Sequence, residues 1–178
     1  MEPGDVLKFW FEEITPAQWF GKDSEVDESI TIKFAGLLES ASKGELFIWR
    51  ETALGRLSEI IVLDQFSRNI YRDRPEAFSN DKLGLVLAQE LVILGLDKEI
   101  PLKMRAFAYM PYMHSESKLI HEVALGLFST KGLEDNFNFE VGHKKIIDRF
   151  SRYPHRNRVL NRESTKEEIE FLKTHKGF

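Results

Sequence analysis

Three polar interruptions of an otherwise apolar, helical pattern hold the residue types that could do chemistry. The first, DQFSRNIYR, places Asp64, Gln65, Arg68, Asn69 and Arg72 directly after the apolar run Ile60-Ile61-Val62-Leu63. The second, MPYMHSE, carries His114, Ser115 and Glu116 just past a proline. The third runs from His143 to Thr165 and includes Arg149, His155, Arg156, Asn157, Arg162 and Ser164. Arginines offer forked donors that suit a carboxylate or a phosphate, and a helix start near Ser164 would add free amide groups. The expected site is therefore an anion pocket lined by Asp64, Gln65, Arg68, Asn69, Arg72, His114, Glu116, Arg149, His155, Arg156 and Arg162. Its ligand would be a small anionic molecule or the acidic end of a peptide. The alternative chemistry is an enzyme in which His114 acts as general acid–base, oriented by Asp64 or Glu116.

Other readings of the same residues carry less. His114 and His121 are seven apart and could share a helix face with help from Glu116 or His143, but no H-x-x-x-H or H-E-x-x-H pair exists. No metal and no cofactor is expected. A Ser–His–Asp hydrolase could be written with Ser115 or Ser67, His114 and Asp64, yet no strand–turn–helix nucleophile elbow precedes either serine. The arginines also have a purely structural role open to them, holding Asp64, Glu116 and loop carbonyls in a packing network. Phe9, Trp10, Phe11, Trp19 and Phe20 read as core; a stacking platform is the other use of such a run.

The elements that must position these residues follow from periodicity. Leu57, Ile60 and Ile61 share a helix face that continues through Asp64 to Arg68, so a carboxylate and a guanidinium lie one turn apart on the inward side of a core helix. Burying them is costly unless they are paired and hydrogen-bonded, so they either knit the fold or line a cleft. Helices are further expected over residues 4–13 with Asp5 as cap, and over 24–42 behind Asp23, closed by Gly44. Another begins at Asn80 or Asp81 and reaches Gly95, and the next starts near Pro101, with Pro111 bending or ending it. A helix from Ser115 or Ser117 to Phe128, one over about 136–152 broken by Pro154, and a last one capped by Ser164 with Glu167 complete the pattern. No segment alternates with period two, so the fold class is all-α, with about seven to nine helices in a single domain over 1–178.

Composition narrows the function classes. The chain has 178 residues, 42% of them apolar and 30% charged, which is ordinary for a soluble domain. The formal net charge of −4 and a pI near 5.8 argue against general nucleic-acid binding, although seven Lys/Arg face one Asp between His143 and Arg162. With no cysteine there is no disulfide, thiol catalysis or cysteine-held metal. Neither a signal peptide nor a membrane span is visible, so a cytoplasmic protein with no membrane partner is expected.

LDQFSRNIYR, MPYMHSE and RYPHRNRVLNREST, with FWF and WFGKD near the start, resemble a widespread bacterial family of unknown function whose members are assigned a TPR-like, all-helical fold. The resemblance spans nearly the whole chain and implies a TPR-like α-α superhelix with a groove, but no activity. On fold analogy a protein-interaction scaffold is a third reading. The chain departs from the family pattern at Ser67, where proline is common, at Ser151 and Asn161, where glycines are common, and at Tyr153, where phenylalanine is common.

Overall fold

A helix with no polar face can be satisfied only in the interior. Ala53–Ile61 (α4), a π-helical turn at Val62–Phe66 and Ser67–Ile70 (α5) form one continuous helix, in which every residue from Leu57 to Ser67 is buried. The computed structural model describes residues 1–175, all-α and without a strand among them; 176–178 lie outside the described residues. Around the central helix stand Pro3–Lys8 (α1), Pro16–Trp19 (α2), Ser24–Ser42 (α3), Asp81–Ile93 (α6), Leu102–Met113 (α7), Lys118–Phe128 (α8), Glu134–Phe150 (α9) and Lys166–Leu172 (α10). With α4, its π turn and α5 taken as one, that is nine helices among the described residues.

Helix α1 packs on α4, α3 on the π turn and α5, and α6 and α7 on α4. Beyond them α8 packs on α7 and α9 on α8. The main core runs continuously from Val6 to Leu133, while Ile146, Ile147 and Tyr153 make a smaller cluster with Phe150 and Phe171. Phe9, Trp10, Phe34, Phe66 and Phe107 meet edge-on or tilted in the main core, the arrangement that aromatic quadrupoles favour. Phe20 differs from expectation: it is 63% exposed, lying stacked on Phe107 at the rim.

Several helix ends are where side-chain chemistry puts them, and some are not. Asp23 caps α3 through the amides of Glu25 and Val26. Asp5 does not cap the first helix; Pro3 starts it, and Asp5 is the third residue, bonding back to the Glu2 amide. Pro111 does not end α7, which continues to Met113. The last helix is capped one residue later than expected, by Thr165 with Glu168, because Ser164 instead accepts a hydrogen bond from Asn157. Helix α9 ends at Ser151, φ +57°, before Pro154 is reached, and Asn161 has φ +52°. Both are the left-handed conformation that glycine adopts freely, which accounts physically for glycine at these two places in the family pattern.

Candidate functional site

The π turn delivers Asp64 into the contact zone between the central helix, α6 and the end of α7. A π turn inserts one residue into the helical repeat, and such insertions recur at functional sites. Asp64 is 1% exposed, yet its carboxylate is well supplied. His114 approaches with Nδ1 at 2.8 Å from Oδ1, Gln65 donates from Nε2 to Oδ2 at 2.6 Å, and Arg68 Nη1 lies 3.2 Å from Oδ1. Burial by itself would push this carboxyl up, but Arg68 and His114 outweigh it and hold the group below the usual carboxylate range. Asp64 is therefore ionised, and the shared proton sits on His114 Nδ1, leaving Nε2 as the second ring nitrogen. His114 itself is lowered, first by burial and then by the Arg68 charge, so at neutral pH it is an uncharged imidazole.

Arg68 connects this pair to a second carboxylate. Its Nη1 donates to the Asp64 carbonyl at 2.7 Å and its Nη2 lies 2.9 Å from Asp81 Oδ1. Arg156 arrives from the short turn Pro154–Arg156, placing Nη1 3.2 Å from Asp81 Oδ2 and Nη2 3.1 Å from the His114 carbonyl. Its guanidinium lies between two rings, 4.7 Å from the centroid of Phe78 and 4.5 Å from that of Tyr153. Arg156 is only 6% exposed, and burial, then Arg68, pull it below the ordinary guanidinium value. The outer edge of the cluster reaches solvent: the Arg68, Asp81 and His114 side chains are 20%, 19% and 17% exposed.

Asp64, Gln65, Arg68, His114 and Arg156 thus come together from three separate segments, as the polar interruptions predict. Glu116 and Arg162 form a neighbouring clasp. Arg162 grips Glu116 with two bonds of 2.7 and 2.9 Å, Glu116 accepts from the Tyr153 amide, and Arg162 donates to the Tyr153 carbonyl and to Asn157. This clasp fixes the loop that carries Arg156. His155 sits beside Tyr153, ring centroids 5.4 Å apart, and burial pulls it down to about 4. Asn69 and Arg72 turn away to α3, where both bind Asp27. Arg149 pairs with Glu167 on the surface and packs on Phe150. Of the seven basic residues between His143 and Arg162, five are in ion pairs: Lys144, Arg149, Arg152, Arg156 and Arg162.

Asp81, Phe78 and Tyr153 are site residues that sequence reasoning missed. Asp81 reads as an ordinary helix-start acid, and nothing local marks it as a partner of two distant arginines. Behind Tyr153 lies a second buried group. His121 Nε2 donates to the Ser115 carbonyl at 2.9 Å, Tyr153 donates to the Met113 carbonyl, and His121 Nδ1 is 2.6 Å from Glu140 Oε1. Since carbonyls only accept, one proton must lie between Nδ1 and Glu140, and burial pushes the Glu140 carboxyl up.

The comparisons with known proteins agree with this architecture. A solved structure titled "Structure of Protein of Unknown Function ATU0120 from Agrobacterium tumefaciens" is similar, with 32% identity, a TM-score of 0.92 and 97% of each chain covered. No curated protein matches the chain. The family described as "Bacterial protein of unknown function (DUF924)" matches residues 6–176, and the chain belongs to that family.

Proposed function

We propose that this protein binds a small anionic ligand, or the acidic end of a peptide, at the partly exposed edge where Arg68 and Arg156 meet. The observation that supports it is the convergence of two guanidiniums, from helix α5 and the Pro154–Arg156 turn, on one side of the Asp64–His114 pair. Arginines are fitted to planar, two-pronged recognition of oxyanions, and buried ones hold an anion more strongly than exposed ones do. The Phe78–Arg156–Tyr153 stack keeps one of them in place before any ligand arrives, which lowers the cost of ordering it. The reading takes the chain as one domain of TPR-like, stacked-helix design, supported by the sequential packing of α6, α7, α8 and α9. It also takes the protein as cytoplasmic and without nucleic-acid partners, supported by the lack of cysteine and by a basic segment already engaged in ion pairs.

The Asp64–His114 contact favours a second reading, an enzyme with His114 as general acid–base. Asp64 would orient the ring, since Glu116 is committed to Arg162 and the Tyr153 amide. The arginine pair would then anchor the substrate's anionic group beside a neutral imidazole.

Thermal melts with a panel of carboxylates and phosphates, at matched ionic strength, test the binding reading. Stabilisation that rises with ligand concentration in the wild type and is lost in Arg156→Met is the expected result. Melts indifferent to every anion, or equal shifts in Arg156→Met, would contradict it.

A further inference from the structure

The contacts of Asp81 differ from those of four partly buried carboxylates that single arginines hold two-pronged in this protein. Arg50 grips Glu59 with two bonds of 2.7 Å, and Arg72 grips Asp27 at 2.5 and 2.7 Å. Arg152 holds Glu168 at 2.6 and 2.7 Å, and Arg162 holds Glu116 at 2.7 and 2.9 Å. Each of these is the two-pronged arrangement that makes such pairs strong. Asp81 instead is divided between two guanidiniums, with one contact to each. The Arg68 contact, at 2.9 Å, is an ion pair between Nη2 and Oδ1 alone. Arg156 Nε is buried without a hydrogen-bond partner among the described residues, as are Trp10 Nε1 and Arg56 Nε elsewhere, and it sits on a side chain that is nearly all enclosed. Leaving buried donors unused is costly, and proteins rarely do so without a reason.

We infer that Asp81 is an internal stand-in for the ligand, and that the position it holds between Arg68 and Arg156 takes a carboxylate, which enters by displacing the Asp81 side chain. The inference rests on the binding reading above and names its ligand class. Charge selects the class. Asp64, Asp81, Arg68 and Arg156 balance one another around a neutral His114. With Asp81 swung out, the cluster is left with one positive charge, which a single carboxylate neutralises. A phosphate dianion would leave an excess negative charge in a poorly solvated place. Geometry agrees, because a carboxylate in the place of the Asp81 group would meet the same donors, Arg68 Nη2 and Arg156 Nη1, while Arg156 keeps its contacts with Phe78 and Tyr153 whether Asp81 is present or not. Asp81 is the first residue of α6 and partly exposed, so its side chain can turn to water without unfolding the helix.

The test is Asp81→Asn in the full chain, which keeps the shape of the residue and removes its charge. Titration calorimetry with acetate, with chloride balancing ionic strength, is expected to give binding at least about tenfold tighter than in the wild type, equal to about 1.4 kcal/mol. The gain should vanish in Asp81→Asn/Arg156→Met, and inorganic phosphate should gain less than acetate. A short peptide with a free C-terminus and the same peptide amidated identify the source: a free-acid peptide that outbinds acetate while the amide does not bind marks a peptide end, and equal binding by acetate and free acid marks a small molecule. Both results support the carboxylate class. Equal affinity in wild type and Asp81→Asn overturns the stand-in, even where wild-type binding upholds the broader reading. A gain in the variant beside no detectable wild-type binding overturns the displacement of Asp81 and the functional reading together. Should Asp81→Asn not fold, the arginine side-chain amide spectrum of the wild type reads the same exchange. Acetate is expected to shift the Arg156 Nε resonance and spare that of Arg72, and an unmoved Arg156 resonance overturns the inference.

Discussion

Replacing Arg68 by Met keeps the length of the side chain and removes a charge that two carboxylates use. In the wild type Arg68 neutralises Asp64, which is buried, and Asp81, which is partly exposed. Breaking a buried pair by deleting one partner costs about 3–5 kcal/mol, because the other charge is stranded. Two features reduce that figure here. Arg68 is one-fifth exposed, and Asp64 keeps its bonds from His114 and Gln65 while Asp81 keeps Arg156. A loss of about 2–3 kcal/mol is expected, or roughly 5–10 °C in melting temperature for a chain of this size. The loss has a second signature. Arg68 is one cause of the lowered His114 value, so without it His114 should hold a proton more readily and the deficit should shrink toward acid pH. Urea melts of wild type, Arg68→Met, Asp64→Asn and the double variant at two pH values give the coupling energy directly. A single variant within about 1 kcal/mol of wild type, or a coupling near zero, would refute the network drawn around Asp64.

Three further outcomes follow from particular contacts. Burial holds His143 down to about 3 and His155 to about 4, while in the unfolded chain both return to about 6.5. The unfolded state therefore binds more protons below that value, so stability should fall as pH drops from about 6.5 toward 4, and His143→Asn should flatten the slope by about 1.4 kcal/mol per pH unit; an unchanged slope in urea melts would contradict this. Ser151→Gly should stabilise the protein by about 1 kcal/mol, because it relieves a left-handed residue at the end of α9, and a destabilised variant would count against that conformation. Glu116→Gln should loosen the loop from Tyr153 to Arg162, raising amide exchange there by at least about tenfold while leaving α3 unchanged, since it weakens the Arg162 clasp and the Tyr153 amide bond; uniform exchange across the chain would argue that the clasp is not local.

Much of the fold was legible because helical periodicity is a local signal. Val26, Ile30, Phe34 and Leu38 mark α3, and its bounds at Ser24 and Ser42 agree with the expected 24–42. The Asp64–Arg68 pair was legible for the same reason, being one turn apart on one helix. Asp81 was not, since its partners Arg68 and Arg156 are 13 and 75 positions away in the chain and an acid at a helix start is common for capping reasons alone. Arg72 and Asn69 show the converse. They share the motif with Arg68, but Asn69 points about 100° away from it on the helix and Arg72 lies beyond the helix end at Ile70, and both meet Asp27 on α3. The one-residue shift from Ser164 to Thr165 has a similar origin: both residues can cap, and only the tertiary bond from Asn157 to Ser164 decides between them.

The central claim is that an oxyanion binds where Arg68 and Arg156 meet, and a crystal structure grown with the carboxylate that most raises the melting temperature tests it most directly. The account predicts a carboxylate within hydrogen-bonding distance of both guanidiniums, with the Asp81 side chain turned out and Arg156 still between Phe78 and Tyr153. Density for the ligand elsewhere on the surface, with Asp81 still bridging Arg68 and Arg156, would contradict it.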